Sequence, residues 1–153
     1  KGNKDAVKFP RIFMNDGSLD FSFSGLKTAV INYFNTMIMK GNNINININD
    51  IAASFQEAVV DVLVANTMKA AATIGVDRIA LAGGVASNSR LRHVMNKEAI
   101  ERGYKLHYPS SVLCTDNAAM VACTAYFEIM EGNVAGLELN AAPYLRLDGK
   151  ANC

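Results

Sequence analysis

Arg78–Asn88 reads RIALAGGVASN: a short apolar run, two glycines, and an asparagine placed directly before a stretch with helical patterning. Arg78–Ala82 is predicted as a strand, Ser89–Arg102 as a helix closed by Gly103, and Tyr104–Tyr108 as a second strand stopped by Pro109. A strand, helix and strand joined by connections of this length imply a right-handed crossover and a parallel pair. The fold class is therefore α/β.

Outward from this unit the texture changes in both directions. Thr115–Glu131 is predicted as a helix ending at Gly132 and is apolar on nearly every face, the pattern of a helix buried between layers. Upstream, Ser24–Met39 carries Leu26, Val30, Phe34, Met37 and Ile38 close to one helical face, with Ser24 as its predicted N-cap. A longer helix runs from Ile51 to about Ala72, with Asp50 placed to cap its start and Gly75 to end it. The alternating Gly41–Asn49, GNNINININ, is expected as a surface loop, because asparagine is poor in strands. One unit is expected, with a mainly helical part at 20–74, an α/β part at 75–132 and a surface tail at 133–153 that holds at most a short strand at Tyr144–Leu147. The first twenty residues are polar and interrupted by Gly and Pro, an approach segment without an opening strand or helix. The chain starts at Lys1 and is read as a piece of a longer product.

The 153 residues, 50% of them hydrophobic, suffice for one core or one lobe of a larger protein. A net charge of +1 supplies no global field to recruit nucleic acid or an anionic membrane, so any contact with RNA must come from a local patch or a partner. No apolar run approaches the ~20 residues a membrane-spanning helix requires, and a soluble, cytoplasmic protein is expected. The 3 cysteines, Cys114, Cys123 and Cys153, form no CxxC pair and are read as reduced thiols.

Ligands of open α/β sheets bind beyond the carboxyl ends of the strands, which is where Gly83 and Gly84 fall. Glycines admit a ligand close to the backbone, amides at the start of the following helix can face an anion, and Asn88 can read a ribose or base edge. The plainer alternative is a strand-to-helix turn in which Asn88 only caps the helix. Asp116, in the loop after the second strand, is expected on the same rim, where a carboxylate beside a nucleotide can bind a metal; its alternative is again a simple N-cap. His93 and His107 do not form HxxxH or HExxH and are read as structural. Lys27 in SGLKT lacks the spacing of a P-loop and is read as first-turn surface. Arg90, Arg92, Lys97, Glu98, Glu101 and Arg102 are read as a solvated helix face of mixed sign.

Five blocks in order, DFSFSGLKTAV (20–30), DIAASFQEAVVDVLV (50–64), LAGGVASNSRLR (81–92), YPSSVLCTDNAAMVA (108–122) and LNAAPYLRL (139–147), resemble the universal tRNA threonylcarbamoyladenosine transferase family, bacterial type. That family was long labelled O-sialoglycoprotein endopeptidase, or glycoprotease. The resemblance, from about Asp20 to Leu147, implies an actin-like, sugar kinase and Hsp70-type ATPase fold of ribonuclease H-like topology, with this chain as most of the second, C-terminal lobe. It implies transfer of a threonylcarbamoyl group from threonylcarbamoyl-adenylate to the exocyclic amine of the adenosine beside the tRNA anticodon. It also implies one divalent metal, iron or zinc, a paralogous partner subunit and an ATPase subunit. Carried onto this sequence, the asparagine of the glycine block is Asn88, contacting the adenylate with Gly83 and Gly84, and the aspartate of the TDN block is Asp116, a metal ligand. The family's remaining metal ligands, an HxxxH, have no counterpart here, so the piece alone is expected to be inactive; no general base is assigned.

Two other readings compete. The chain could be the nucleotide lobe of another actin-fold kinase, or a non-catalytic module presenting the faces of its two long helices to a partner. The peptidase label finds neither a zincin helix nor an activated nucleophile to support it.

Overall fold

The computed structural model describes residues 2–14, 18–39 and 47–141. Its elements follow the order α1 (Ser24–Met39), α2 (Ile48–Ile74), β1 (Arg78–Ala80), α3 (Ser89–Glu101), β2 (Lys105–His107) and α4 (Ala118–Met130), with short 3-10 turns at Gly84–Ser87 and Ser111–Leu113. The chain divides into two compact units, Lys1–Thr115 and Asp116–Cys153.

In the first unit β1 and β2 pair in parallel, Ile79 opposite Leu106, with α3 between them in the chain, as the apolar patterning implies. The strands are shorter than predicted, although the pairing continues past β1 through a Leu81 N–H to His107 carbonyl bond of 2.9 Å. The α/β assignment holds at this level.

The 27-residue α2 is the beam on which the unit is built. Its C-terminal half sets Val60, Val64, Met68 and Ala71 in one stripe, three or four residues apart, against Ile79 of β1 and Leu91, Met95 and Ala99 of α3. Its N-terminal half packs Ile51 and Ala58 against Leu26 of α1 and Phe9 of the entry segment. Gly75 ends the helix in the left-handed region, φ 78°, and donates to the Ala71 carbonyl.

The helix starts earlier than predicted. Asn47 is its N-cap, accepting from the Asn49 N–H, and Asp50 lies in the first turn, where its carboxylate takes bonds from Asn47 Nδ2 and from the Asn3 N–H. Asn competes well with Asp for a cap, and a carboxylate one turn in still faces the positive end of the helix dipole. Residues 48 and 49 thus belong to the helix and 47 caps it, while 41–46 of the expected loop lie outside the described residues. At α1, the predicted cap Ser24 is already helical: the Lys27 N–H bonds to the Phe23 carbonyl, and Ser24 offers its own carbonyl to Thr28 Oγ1.

The entry segment has no regular element, as expected, yet it is tied to α2 along its length. The Val7 N–H donates to Ser54 Oγ at 3.1 Å, Lys4 pairs with Glu57 at 2.8 Å and Arg11 with Asp61 at 2.9 Å.

In the second unit α4 is capped by Asn117, whose side chain accepts from the Met120 N–H. None of its residues is buried, which corrects the expectation of a helix enclosed between layers. Residues 133–141 form turns without a second helix or strand, so α4 has no described partner within its own unit. The strand expected at Tyr144–Leu147 lies outside the described residues. Among the described residues no helix is long and apolar enough to cross a membrane.

Candidate functional site

The turn after β1 is built around Gly83. Its φ of 82° and ψ of 170° lie in a region essentially restricted to glycine, and a Cβ there would meet nothing within 4 Å, so the backbone conformation itself demands the residue. Gly84 opens the 3-10 turn, and a Cβ on it would touch only Thr115 Cγ2 at 3.9 Å. The Ala86 N–H closes the turn on the Gly83 carbonyl and the Asn88 N–H closes it on Val85. Both glycines are exposed, leaving open backbone where the chain turns into α3.

Asn88 does what its plainer reading requires. Its Oδ1 accepts from the Leu91 N–H at 3.0 Å, which caps α3. Its Nδ2 donates to Gln56 Oε1 of α2 at 3.1 Å, which fixes the carboxamide plane. Capping does not exclude contact with a ligand, because an amide offers two donors and two lone pairs, and one of each is used here. Asn88 and Gln56 are the polar residues of a cleft of about 300 Å³ between α2 and α3, whose apolar walls include Phe55, Val59, Val85 and Leu91. A mostly apolar wall with a few convergent amides suits a small planar ligand.

Asp116 is exposed and precedes the cap of α4, Asn117, so it is not itself the cap. It opens the second unit, whereas Gly83, Gly84 and Asn88 belong to the first. Among the described residues no three His, Cys, Asp or Glu side chains come together to hold a metal ion. Asp116 offers a single carboxylate, which binds a metal through one or both of its oxygens.

Two features escaped the sequence reading. Glu57, on the buried side of α2, receives Arg90 Nε at 2.7 Å and Arg90 Nη2 at 2.6 Å, with Lys4 on the same carboxylate. The Arg90 guanidinium, then Lys4, hold its carboxyl down at about 2 against the opposing effect of burial. Arg90 is therefore a half-buried, ion-paired side chain rather than part of a solvated face, and Arg92, also half-buried, reaches back over the glycine turn. The signal for Glu57 was present: a carboxylate on the stripe shared by Ile51, Ser54 and Ala58 has to find a cation. Lys27 is exposed in the first turn of α1, as read, and beside it an apolar groove of about 510 Å³ runs between α1 and α2, lined by Val30, Ile31, Phe34, Ile51 and Phe55.

A parallel α/β unit with a glycine turn opening beside a cleft defines the class only broadly. Residues 1–123 match the family model of TsaD, tRNA N6-adenosine threonylcarbamoyltransferase, and the chain belongs to that family. The match begins at Lys1, so the similarity takes in the entry segment that precedes Asp20. A tRNA N6-adenosine threonylcarbamoyltransferase of Clostridium perfringens is 54% identical over 147 residues, 96% of this chain and 43% of that protein. One of Clostridium botulinum is 52% identical over the same share of each. The chain thus spans about 43% of the length of these relatives. Family membership replaces the kinase reading.

Proposed function

We propose that this segment is the part of a tRNA threonylcarbamoyl transferase that seats the adenylate and contributes one metal ligand, within the second lobe of an actin-like fold. The observation that carries the reading is the Gly83–Asn88 turn, which opens on two exposed glycines and ends at an amide pair, in a chain whose residues 1–123 match that family.

The threonylcarbamoyl carbon would be attacked by the exocyclic nitrogen of the adenosine beside the anticodon. The new C–N bond forms as the bond from that carbon to the adenylate phosphate oxygen breaks, AMP leaves and the amine gives up a proton. Gly83 and Gly84 let the adenylate lie against main chain, and Asn88, held by its cap bond and by Gln56, meets the nucleoside with its remaining donor and lone pair. Fixing the leaving group lowers the entropic part of the barrier.

Asp116 is proposed as one ligand of a divalent iron or zinc. The described residues do not complete such a site. tRNA, a paralogous partner subunit, an ATPase subunit and a cytoplasmic setting belong to the same proposal.

Asp116→Ala in the full-length protein tests the ligand role: bound metal and tRNA threonylcarbamoylation are both expected to fall by at least tenfold. Retention of both would remove Asp116 from the site.

A further inference from the structure

We infer that Arg92 is a positioning residue that locks the glycine turn after β1 to the loop after β2, so that nucleotide affinity depends on a side chain that need not touch the nucleotide. This deepens the proposed adenylate site and rests on it.

Arg92 lies on α3, one turn beyond Asn88, and its own N–H bonds to the Asn88 carbonyl at 3.1 Å. Its side chain turns back. Nε donates to the Ala86 carbonyl at 2.5 Å, while Nη2 donates to the Pro109 carbonyl at 2.9 Å and to Cys114 Sγ at 3.0 Å. The guanidinium carbon sits 4.6 Å from the centroid of the Tyr108 ring. Ala86 and Cys114 are both buried, at 2% and 4% exposure, so two of these partners lie away from water, while Tyr108 stays exposed.

One rigid group therefore spans two loops. Ala86 stands between Gly84 and Asn88, and holding its carbonyl holds the middle of the turn whose ends would meet the adenylate. Pro109, Tyr108 and Cys114 belong to the loop that follows β2. Carbonyl dipoles and an aromatic face take up the charge of Arg92, whereas Arg90 on the same helix spends its own on the Glu57 carboxylate. The planar fork is what the geometry uses: donors fixed in different directions reach Ala86 and Pro109 together and leave a face for Tyr108. A lysine has the charge but neither the fork nor the face.

The test compares Arg92→Lys, Arg92→Gln, Asn88→Ser and Met68→Ala in the full-length protein, each measured for AMP affinity by calorimetry and for melting temperature. Met68, 1% exposed on α2, serves as a destabilised control that belongs to neither loop and bonds to neither. Both Arg92 variants are expected to weaken AMP binding tenfold or more, with lysine failing to rescue, while Met68→Ala changes it less than twofold despite an equal or larger loss of melting temperature. Arg92 variants within twofold of the parent, alongside a weakened Asn88→Ser, would overturn the role of Arg92 and leave the site standing. Losses in the Arg92 variants that simply follow melting temperature, as in Met68→Ala, would overturn it too. Unchanged binding in Asn88→Ser would instead remove the adenylate site itself.

Discussion

At the residue scale, the helix cap that Asn88 makes and the adenylate contact proposed for its amide can be separated. Serine retains the cap on the Leu91 N–H and lacks the amide, so Asn88→Ser is expected to keep stability to within about 0.5 kcal/mol, whereas Asn88→Ala costs about 1 kcal/mol, by denaturant titration. A weakened adenylate affinity common to both variants is then due to the amide alone. Gly83→Ala would meet no steric obstacle but must hold φ near 82°, and a loss of about 1–3 kcal/mol is expected with the turn distorted. Glu57 carries a pH signature. In the unfolded chain its carboxyl takes up a proton near 4.5, in the fold only near 2, so its stabilisation is complete above pH 4.5 and is lost as pH falls through that window. Denaturation midpoints of the parent and Glu57→Gln should therefore converge between pH 5 and about pH 2. A gap that stays constant over this range would contradict the ion-pair assignment.

At the scale of elements, α2 carries both hydrophobic clusters of the first unit. Met68→Ala opens a cavity in its stripe and is expected to cost about 2–5 kcal/mol, read from chemical denaturation. Arg90→Ala leaves Glu57 with Lys4 as its one remaining cation and is expected to cost on the order of 2–3 kcal/mol. The periodicities of α1, α2 and α3 and the apolar runs of both strands were legible in sequence because each buries one stripe or face against a neighbour. Helix starts were less legible: Asn47, Phe23 and Asn117 each stand where another residue was expected to cap, since several polar residues compete within one turn. The links of Glu57 and Arg92 join residues 33 and more than 15 positions away, such as Arg90 and Pro109, and local pattern holds no record of such pairs beyond the oddity of a carboxylate on a buried stripe. The candidate site was legible for a different reason. Asn88 and the glycines announce themselves by type and by order along the chain, while Gln56, which fixes the Asn88 amide, had no such mark.

At the scale of the whole molecule, the glycine turn belongs to one compact unit and Asp116 to another, and the chain spans about 43% of the relatives it matches. The exposed glycines beside the cleft of the first unit fit the proposed reading of this chain as a piece of a larger transferase. Its chemistry would then depend on residues outside this segment as much as on those within it. The central claim is that the Asn88 carboxamide seats the adenylate from which the threonylcarbamoyl group is transferred. It is tested most directly by single-turnover transfer from preformed threonylcarbamoyl-adenylate to tRNA, using the full-length protein with Asn88→Ser. The account predicts at least a tenfold higher half-saturating adenylate concentration with the melting temperature preserved; half-saturation equal to that of the parent would contradict it.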